Sequence, residues 1–498
     1  MNTVLGIDLG TQSIKVVFYD WHQRLSVAAA SSPLTVARDA SGRAEQRAEA
    51  WRTALAEALA SVDAAVRASV CAVGVSGQQH GFVPVGGDGR VLAPVKLWCD
   101  TSTQREVDEI TSAAGGRARC IEIAGNPILS GYTAPKIRWL RNQLPDAYAQ
   151  MRHVMLPHDY LNFVLTGEVA MECGDASGTG LLDVRRRSWS EPMLRAVDAD
   201  RDLAACLPPL VEPDACIGVT TAESAQHFGL PVGVPVAAGG GDNMMAAIGT
   251  GNVTAGRLTM SLGTSGTLFG HADAPIVDDQ GNIAAFCGST GGWLPLLCTM
   301  NCTLATELMK QLLAVGDEEF DATIAGVAPG AGSLVMLPFF SGERTPNLPR
   351  ASASLLGMNM QNCTRGHLLR ATAEGATFAI RFGLDEMNRL GVRATEIVLT
   401  GGGARSAAWR QIVADVCRLP VIVLAEEEGA SFGAALQALW MLYRREGTPS
   451  SIAAITREHV AVREDLCVVP NVEAVSAYTA AYARYRRALE HLGPLYET

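Results

Sequence analysis

The chain opens with two short apolar runs that are separated by a polar, glycine-containing turn. Residues 3–8 (TVLGID) and 14–20 (IKVVFYD) flank the turn GTQS at residues 10–13. This alternation predicts a strand, a tight turn and a second strand that pairs with the first. A dinucleotide-binding fold would place a helix directly after such a turn, so the pattern argues against that fold.

Later segments predict alternating helices and strands. Apolar residues at helical spacing predict helix over residues 47–68 and over 135–165, and an apolar run predicts a strand at 70–75. Residues 234–249 (VPVAAGGGDNMMAAIG) are typical of a strand, a glycine turn and the start of a helix. Residues 395–416 show the same order around a triple glycine. Strands followed by helices in this way indicate an α/β protein.

The opening pattern recurs about half a chain later. Residues 257–270 (RLTMSLGTSGTLFG) again place a glycine turn between apolar runs, and Leu9–Ser13 and Leu262–Gly266 share the sequence L-G-T. This favours two related domains, which we expect at residues 1–247 and 248–498. The alternative is two unrelated glycine turns that match by chance.

Composition and charge narrow the classes of function. The 498 residues carry a net charge of −11, which argues against nucleic acid and anionic membrane surfaces as partners. The N-terminus has no signal-peptide pattern, and there is no run of 18 apolar residues. The 12 cysteines are scattered without a CxxC pair, so we expect reduced thiols in a cytoplasmic protein and no thiolate metal site.

The first glycine turn has the groups that a phosphate-binding loop needs. Glycine allows backbone N–H groups to face an anion, while hydroxyl and ammonium groups add donors and positive charge. These groups are supplied by Gly10, Thr11, Gln12, Ser13 and Lys15. Asp8, at the end of the preceding strand, has a carboxylate that could hold Mg²⁺ through water. The alternative is an ordinary polar turn of a β-hairpin.

The second half of the chain contains two further glycine-rich turns. Gly263, Thr264 and Ser265 repeat the logic of the first loop, and two such loops together favour a phosphate clamp. Gly401, Gly402 and Gly403 follow a strand and precede a helix, which leaves space for a flat ring and places a helix N-terminus near an anion. The alternative for each is a plain or flexible turn.

Asp242 follows a strand and three glycines. A carboxylate at an open strand end is well placed to act as a general base that orients a sugar hydroxyl and accepts its proton. Asp is also a good N-cap residue, so the alternative is a cap for a helix that begins at Met244. Both roles are compatible.

Two further strand ends have side chains that suit a sugar. Gln79 and His80 follow the strand at residues 70–75 and could hydrogen-bond a polyol, although a lone histidine is more often structural. Trp98 and Asp100 place a ring beside a carboxylate, which suits the C–H face and the hydroxyls of a sugar. The alternative for Trp98 is a buried ring near the end of a strand.

With these motifs in place, the chain resembles the FGGY carbohydrate kinases, and within that family it is most similar to the xylulokinases. The segments GYTAPKIRWL (131–140) and 353–372 resemble the two family signatures. Further similar segments, in the same order as in that family, are LPHDYLNFVLTGE, GDASGTGLLDV, AAGGGDN, SLGTSGTLF, SGERTP, LTGGGARSAAWRQIVADV and GASFGAALQA. The resemblance covers nearly the whole chain.

The resemblance implies a two-domain actin-like fold of the sugar kinase and chaperone ATPase class, with ribonuclease H-like domains that close on a central cleft. It implies ATP-dependent phosphorylation of a ketopentose, D-xylulose to D-xylulose 5-phosphate, in carbohydrate catabolism. Asp242 would be the proton acceptor, Asp8 and Asp242 would bind Mg²⁺, and the adenosine would lie near Gly401–Gly403 and Ser406. Sugar contacts would come from Gln79, His80, Asp100, Asp242 and Asn243. Dimers are common in this family.

Two positions depart from the xylulokinase pattern, in which Met-His and Trp-Asn-Asp are usual. This chain has Gln79 before His80, and Cys99 between Trp98 and Asp100. A polar residue in a sugar pocket changes which hydroxyl is recognised, so kinases for ribulose or L-xylulose are alternatives. An actin-like or chaperone-type ATPase that acts on protein partners, and an inactive sugar sensor, are further alternatives.

Overall fold

The computed structural model describes residues 2–426 and 429–496. Two compact units are present: one comprises Met1–Val253, Ala272–Leu294 and Glu428–Val460, and the other comprises Thr254–His271, Pro295–Glu427 and Ala461–Thr498. We call them unit 1 and unit 2. They differ from two consecutive halves divided at residues 247 and 248, because two later segments of the chain belong to unit 1.

The strands and helices up to Val253 all belong to unit 1. The strands are β1 (Thr3–Leu9), β2 (Ser13–Asp20), β3 (Leu25–Pro33), β4 (Ala37–Arg38), β5 (Ala44–Gln46), β6 (Val70–Gly77), β7 (Val83–Gly86), β8 (Val95–Lys96), β9 (Met151–Met155), β10 (Met171–Glu172), β11 (Leu182–Asp183), β12 (Ser188–Trp189), β13 (Leu210–Val211), β14 (Cys216–Val219), β15 (Pro235–Ala237) and β16 (Gly240–Gly241). The helices are α1 (Ala48–Ala60), α2 (Ala64–Ala68), α3 (Gln104–Ala113), α4 (Arg117–Ala124), α5 (Thr133–Gln143), α6 (Pro145–Gln150), α7 (Pro157–Thr166), α8 (Cys173–Ala176), α9 (Glu191–Val197), α10 (Ala222–Phe228) and α11 (Asp242–Gly249).

The remaining elements form unit 2, apart from α16 and α17. The strands are β17 (Arg257–Leu262), β18 (Gly266–Gly270), β19 (Leu296–Thr299), β20 (Val335–Leu337), β21 (Ser354–Leu356), β22 (Glu396–Thr400) and β23 (Val421–Ile422). The helices are α12 (Thr303–Leu313), α13 (Asp317–Ala325), α14 (Arg365–Arg389), α15 (Ala407–Cys417), α16 (Gly429–Arg445), α17 (Ile452–His459) and α18 (Val472–Leu492).

The main sheet of each unit has the same internal order. In unit 1, β3, β2, β1 and β6 lie side by side, and in unit 2 the corresponding strands are β19, β18, β17 and β22. In both sheets the first three strands are antiparallel and the last pair is parallel. The predicted strand–turn–strand hairpins are therefore confirmed, and the two sheets share one topology.

The helix α16 joins unit 1 because small residues allow it to lie directly on the sheet. A Cβ atom at Gly6 would lie 1.8 Å from the carbonyl oxygen of Ser431, and one at Gly74 would lie 2.0 Å from that of Ala434. Both glycines are in central strands of unit 1. The small-residue sequence of α16 therefore reflects close packing of helix backbone on strand backbone.

The predicted helix over residues 135–165 is interrupted in the structure. Strand β9 separates α6 from α7 and pairs antiparallel with β7. Met151, Val154 and Met155 of this strand are fully buried. Packing in the core has therefore prevailed over the helical periodicity of the surrounding sequence.

Candidate active site

The first glycine turn, between β1 and β2, is held by side-chain amides. The hydroxyl of Thr11 donates to Oε1 of Gln78 at 3.0 Å and accepts from Nε1 of Trp98 at 2.9 Å. Nε2 of Gln46 donates to the carbonyl oxygen of Thr11 at 2.8 Å, and Gln78 bonds to Gln46 at 3.0 Å. The N–H of Gly10 closes the turn on the carbonyl oxygen of Ser13. A network of side chains thus fixes the predicted phosphate loop.

The two carboxylates predicted for metal binding influence each other in unit 1. Asp8 is the penultimate residue of β1 and lies opposite Lys15 of β2, and Oδ1 of Asp8 accepts from the hydroxyl of Ser76 at 2.8 Å. Burial, together with the negative charges of Asp8 and Asp175, raises the pKa of Asp242 to about 8. Mutual repulsion of this kind is relieved by a nearby cation.

Asp242 is the first residue of α11, and its N-cap is Gly241. Oδ1 of Asp242 accepts from the backbone N–H of Asn243 at 2.8 Å and from Nδ2 of Asn243 at 2.9 Å. The alternative role of Asp242 as the helix N-cap is therefore not realised. Its carboxylate is bonded through Oδ1 to the neighbouring residue.

Gln79, His80 and Asn243 lie at adjoining strand ends, as the sequence predicts for a sugar pocket. Nδ2 of Asn243 donates to Oε1 of Gln79 at 2.9 Å, which links the two strand ends. His80 has a left-handed backbone, with φ of 65°, and its ring packs against Tyr132 and Phe286 with centroid distances of 5.0 and 5.7 Å. This arrangement combines amides with apolar rings, which suits a polyol.

Asp100 is fully buried, and its carboxylate accepts four hydrogen bonds from the protein. The donors are the backbone N–H of Ala44, Nζ of Lys96, and the N–H and hydroxyl of Ser102. These bonds fasten the loop after β8 to the first residue of β5. Asp100 thereby supports the loop that carries Trp98, whose indole N–H donates to Thr11 in the first glycine turn.

The second glycine turn, between β17 and β18, is held mainly by backbone groups. The N–H of Thr303, at the start of α12, donates to the carbonyl oxygen of Gly263 at 2.8 Å, and that of Cys302 donates to Thr264 at 3.1 Å. The hydroxyl of Thr299 bonds to the N–H of Gly266 at 3.1 Å. Thr264 itself is exposed, and Gly263 and Ser265 are partly exposed.

The triple glycine follows β22 as predicted and leads through a 3₁₀ turn (Gly402–Arg405) into α15. Gly401 has φ of 85°, and a Cβ there would lie 2.7 Å from the carbonyl oxygen of Leu262. The hydroxyl of Ser406 caps α15 and bonds to Asp321, whose Oδ1 also accepts from the N–H of Ala408. A carboxylate thus already occupies the N-terminus of α15.

The sequence did not single out several residues that organise these loops. Gln46 and Gln78 support the first loop, Asp321 supports α15, and Tyr132 and Phe286 surround His80. Gln78 lies in the polar run after β6, so its position at a strand end was an available signal. Nothing in the local sequence around Phe286 indicates that it contacts His80.

The donor set fits a magnesium ion held mainly through the substrate. In the residues that the structure describes, no group of three or more His, Cys, Asp or Glu side chains is arranged to hold a metal. Mg²⁺ commonly uses one or two carboxylates together with phosphate and water. Asp8 and Asp242, whose repulsion a cation would relieve, match that pattern.

Comparison with known proteins defines the class first. A structure described as a xyloylose kinase from Brucella ovis matches with a TM-score of 0.90 and 32% identity, covering 99% of this chain and 100% of that one. A gluconate kinase from Lactobacillus acidophilus matches with a TM-score of 0.91 and 21% identity over 100% of this chain and 99% of that one, which supports the fold alone. The fold is therefore the two-domain α/β sugar kinase fold, as predicted.

The family follows from the sequence comparisons. Models of the N-terminal and C-terminal domains of the FGGY family of carbohydrate kinases match residues 3–249 and 258–442. Xylulose kinase from Haemophilus influenzae is 40% identical over 499 residues, which cover 99% of this chain and 100% of the relative. Xylulose kinase from Escherichia coli is 34% identical over 99% of both chains. This chain belongs to the FGGY family, and the prediction of a carbohydrate kinase that uses ATP is confirmed.

None of the described helices combines the length and the apolar character that crossing a bilayer requires.

Proposed function

We propose that this protein transfers the γ-phosphoryl group of ATP to the primary hydroxyl of D-xylulose, giving D-xylulose 5-phosphate and ADP. The observation that carries the proposal is the bonded series Gln79–Asn243–Asp242, which presents amides and a carboxylate at adjoining strand ends. The names of the relatives from Haemophilus influenzae and Escherichia coli support xylulose as the sugar.

In this proposal Asp242 orients the hydroxyl at C5 and accepts its proton. The hydroxyl oxygen forms a bond to the γ-phosphorus while the bond from that phosphorus to the β,γ-bridging oxygen breaks, and ADP leaves. Asn243 holds one carboxylate oxygen of Asp242, so the other oxygen is available for the substrate proton. The pKa of about 8 means that Asp242 is a stronger base than an ordinary aspartate.

Asp8 and Asp242 are the residues that would hold Mg²⁺. When bound, Mg²⁺ supplies charge neutralisation to the transferring phosphoryl group. Lys15 and the turn Gly10–Ser13 are proposed phosphate ligands in unit 1. Their support is the position of the turn beside Asp8 and its rigid attachment through Gln46 and Gln78.

Unit 2 is proposed to bind the nucleotide. Gly263, Thr264 and Ser265 would contact its phosphates, because this turn is exposed while its carbonyls are held from behind by α12. Gly401–Gly403 and Ser406 would lie near the adenosine. The carboxylate of Asp321 at the start of α15 favours a neutral or hydrogen-bonding group there over a phosphate.

Gln79, His80, Trp98, Asp100 and Asn243 are proposed as the sugar-binding set. Gln79 and Asn243 would bind hydroxyls, and the rings of His80 and Trp98 would contact the apolar face of the sugar. For Asp100, whose oxygens accept four protein hydrogen bonds, a sugar hydroxyl would replace the hydroxyl of Ser102. We also propose a cytoplasmic location and a homodimer. Light scattering of the purified protein would test the homodimer, and cell fractionation would test the location.

The experiment is a coupled assay of ADP release with ATP and Mg²⁺ against D-xylulose, L-xylulose, D-ribulose, L-ribulose, D-fructose, glycerol and erythritol. We expect the highest kcat/KM for D-xylulose, with the phosphate found at C5 by ³¹P–¹H correlation. Preference for another polyol would overturn the choice of sugar. Hydrolysis of ATP at one rate across the panel would overturn the kinase and favour the ATPase alternative.

A further inference from the structure

A cluster of polar side chains lies completely buried behind the proposed sugar site, in unit 1. His158 of α7 and Asp175 of α8 are both inaccessible to solvent, and Nδ1 of His158 lies 2.8 Å from Oδ2 of Asp175. The other ring nitrogen of His158 lies 2.9 Å from Oδ1 of Asp159. Burial lowers the pKa of His158, but the two carboxylates outweigh burial and raise it well above its usual value.

The glycines before Asp242 allow this cluster to approach the site. A Cβ at Gly239 would lie 2.9 Å from Cδ2 of His158. One at Gly241 would lie 2.7 Å from Cγ of Gln79 and 3.0 Å from Oδ1 of Asp175. The glycines therefore allow close contact between the buried cluster and the backbone that carries Asp242, which explains their presence without invoking flexibility.

The orientation of the Gln79 amide is determined from one side. Asn243 donates an N–H to Oε1 of Gln79, so Nε2 of Gln79 must point away from Asn243. On that other side, Nε2 of Gln79 and Oδ1 of Asp175 are shielded from solvent, and neither has another hydrogen-bond partner among the described residues. Burial raises the pKa of the Asp175 carboxyl, and hydrogen bonds from His158 and Gln79 oppose that rise.

We propose that Asp175, held by His158, is a positioning residue that sets the amide of Gln79 and, through it, Asn243 for recognition of the sugar. The hydrogen-bond donors along this series are arranged in one order. His158 donates to Asp175, Gln79 donates to the other oxygen of Asp175, and Asn243 donates to the carbonyl of Gln79 and to Asp242. Reversal of the Gln79 amide would set N–H against N–H at Asn243, so this order admits one orientation.

This inference rests on the proposed function for its substrate, but its geometry is independent of turnover. A buried carboxylate needs a compensating charge, which His158 supplies, and its other oxygen needs a donor, which the side-chain amide of Gln79 offers. Asp175 thus acts on the sugar site through Gln79. Its effect should fall on binding of the ketose and not on binding of ATP.

The test uses two isosteric substitutions and their combination. In Gln79→Glu, two carboxylates face each other and the donor to Asp175 is lost, so KM for D-xylulose should rise about tenfold or more while KM for ATP stays constant. Asp175→Asn alone should change KM for the ketose by about twofold or less, because His158 can release its Nδ1 proton and accept there from the new amide while the Asn oxygen still accepts from Gln79. In the double variant, the amide introduced at position 175 donates to the carboxylate introduced at position 79.

We therefore expect Asp175→Asn to restore most of the ketose KM that Gln79→Glu loses, to within about threefold of Asp175→Asn alone. If the rise in ketose KM of the double variant equals the product of the rises in the two single variants, the proposal is overturned. A rise in KM for ATP as large as the rise in KM for the ketose would also overturn it. Crystal structures of Gln79→Glu and of the double variant test the same coupling without turnover. The contact of residue 79 with Asn243 should be lost in the first and recovered in the second. If the wild-type enzyme phosphorylates no ketose but this recovery occurs, the proposed substrate fails and the positioning role stands.

Discussion

The two glycine turns have nearly the same sequence and the same place in their sheets, yet they are fixed in different ways. The turn between β1 and β2 depends on side chains, because Thr11 is bonded by Gln46, Gln78 and Trp98. The turn between β17 and β18 depends on backbone, because the start of α12 donates N–H groups to Gly263 and Thr264. A similar motif is therefore stabilised by local chemistry that the motif itself does not contain.

This difference predicts which kind of substitution destabilises each unit most. A side-chain network is broken by removing a functional group, whereas a backbone arrangement is broken by adding atoms. Unit 2 brings Gly401 against the carbonyl of Leu262, so that even a methyl group has no space. The turn in unit 1 is surrounded by side-chain amides, and an apolar side chain cannot make the hydrogen bonds that these amides make.

The largest effect is expected from Gly401→Ala. The added Cβ would meet backbone atoms of Leu262, and φ of 85° is unfavourable for alanine. The free energy of unfolding of unit 2 should therefore fall by about 3 kcal/mol. KM for ATP should rise as well. Gly402→Ala is the matched control, because a Cβ there meets nothing within 4 Å. Urea unfolding checks both variants, and equal stability of the two would contradict the backbone account.

A smaller effect is expected from Gln78→Leu in the first turn. Gln78 is fully buried, and leucine would remove the acceptor for the O–H of Thr11 and one of the two donors to Oε1 of Gln46, at a cost of about 2 kcal/mol. Gln12→Ala, on the exposed tip of the same turn, should change the unfolding free energy by less than about 0.5 kcal/mol. Loss of stability in both variants would show that the amide network does not hold the turn.

Each unit also contains a carboxyl group with a raised pKa. The stability of the two units should respond differently when this group is replaced by the corresponding amide. The pKa of Asp242 is about 8, so without metal the folded state retains a proton that the unfolded chain releases near pH 4. Stability should then fall as pH rises from 4 to 8, and Asp242→Asn should escape this fall, gaining at least about 1 kcal/mol at pH 8. Thermal unfolding in EDTA across this pH range checks the prediction.

Glu343 of unit 2 provides the contrast. Burial raises its pKa to about 7, but its oxygens accept N–H groups from Met300, Arg344 and Asn301. Glu343→Gln would turn an amide N–H toward these donors, so we expect a loss of about 1 kcal/mol at pH 4, where the wild-type carboxyl is protonated. The loss should shrink as pH rises, because the raised pKa of Glu343 makes the ionised wild-type protein less stable. A gain in stability from Glu343→Gln at pH 4 would contradict the role of these three donors.

The strand–turn–strand hairpins and the sugar kinase class were predictable from sequence. The hairpins have a local signal in the apolar runs around glycine turns, whereas the class rests on motifs that resemble the family, in the same order, over nearly the whole chain. The inclusion of residues 272–294 and 428–460 in unit 1 was not predictable from such signals. The second of these segments joins unit 1 through the close approach of α16 to Gly6 and Gly74, and the first through the hydrogen bonds between Asn126 and Ala285. Periodicity along one segment encodes neither contact.

Part of the candidate site was hidden for a related reason. His158 and Asp175 stand in segments that resemble the family, but a buried polar pair has no sequence pattern until the fold brings its members together. The support of Thr11 by Gln46 and the contact of Phe286 with His80 likewise join residues far apart in the chain. The roles proposed for Asp100 and Ser406 also require the structure, since their protein partners decide what each is free to bind.

The central claim is that Asp242 is the proton acceptor in phosphorylation of a ketopentose. The most direct measurement compares D-xylulose-dependent ADP release by the wild-type protein and by Asp242→Asn, with the binding of ATP and sugar followed by calorimetry. The account predicts a loss in kcat of about 10³-fold with both ligands still bound and the fold retained. Turnover of Asp242→Asn at the wild-type rate would contradict it.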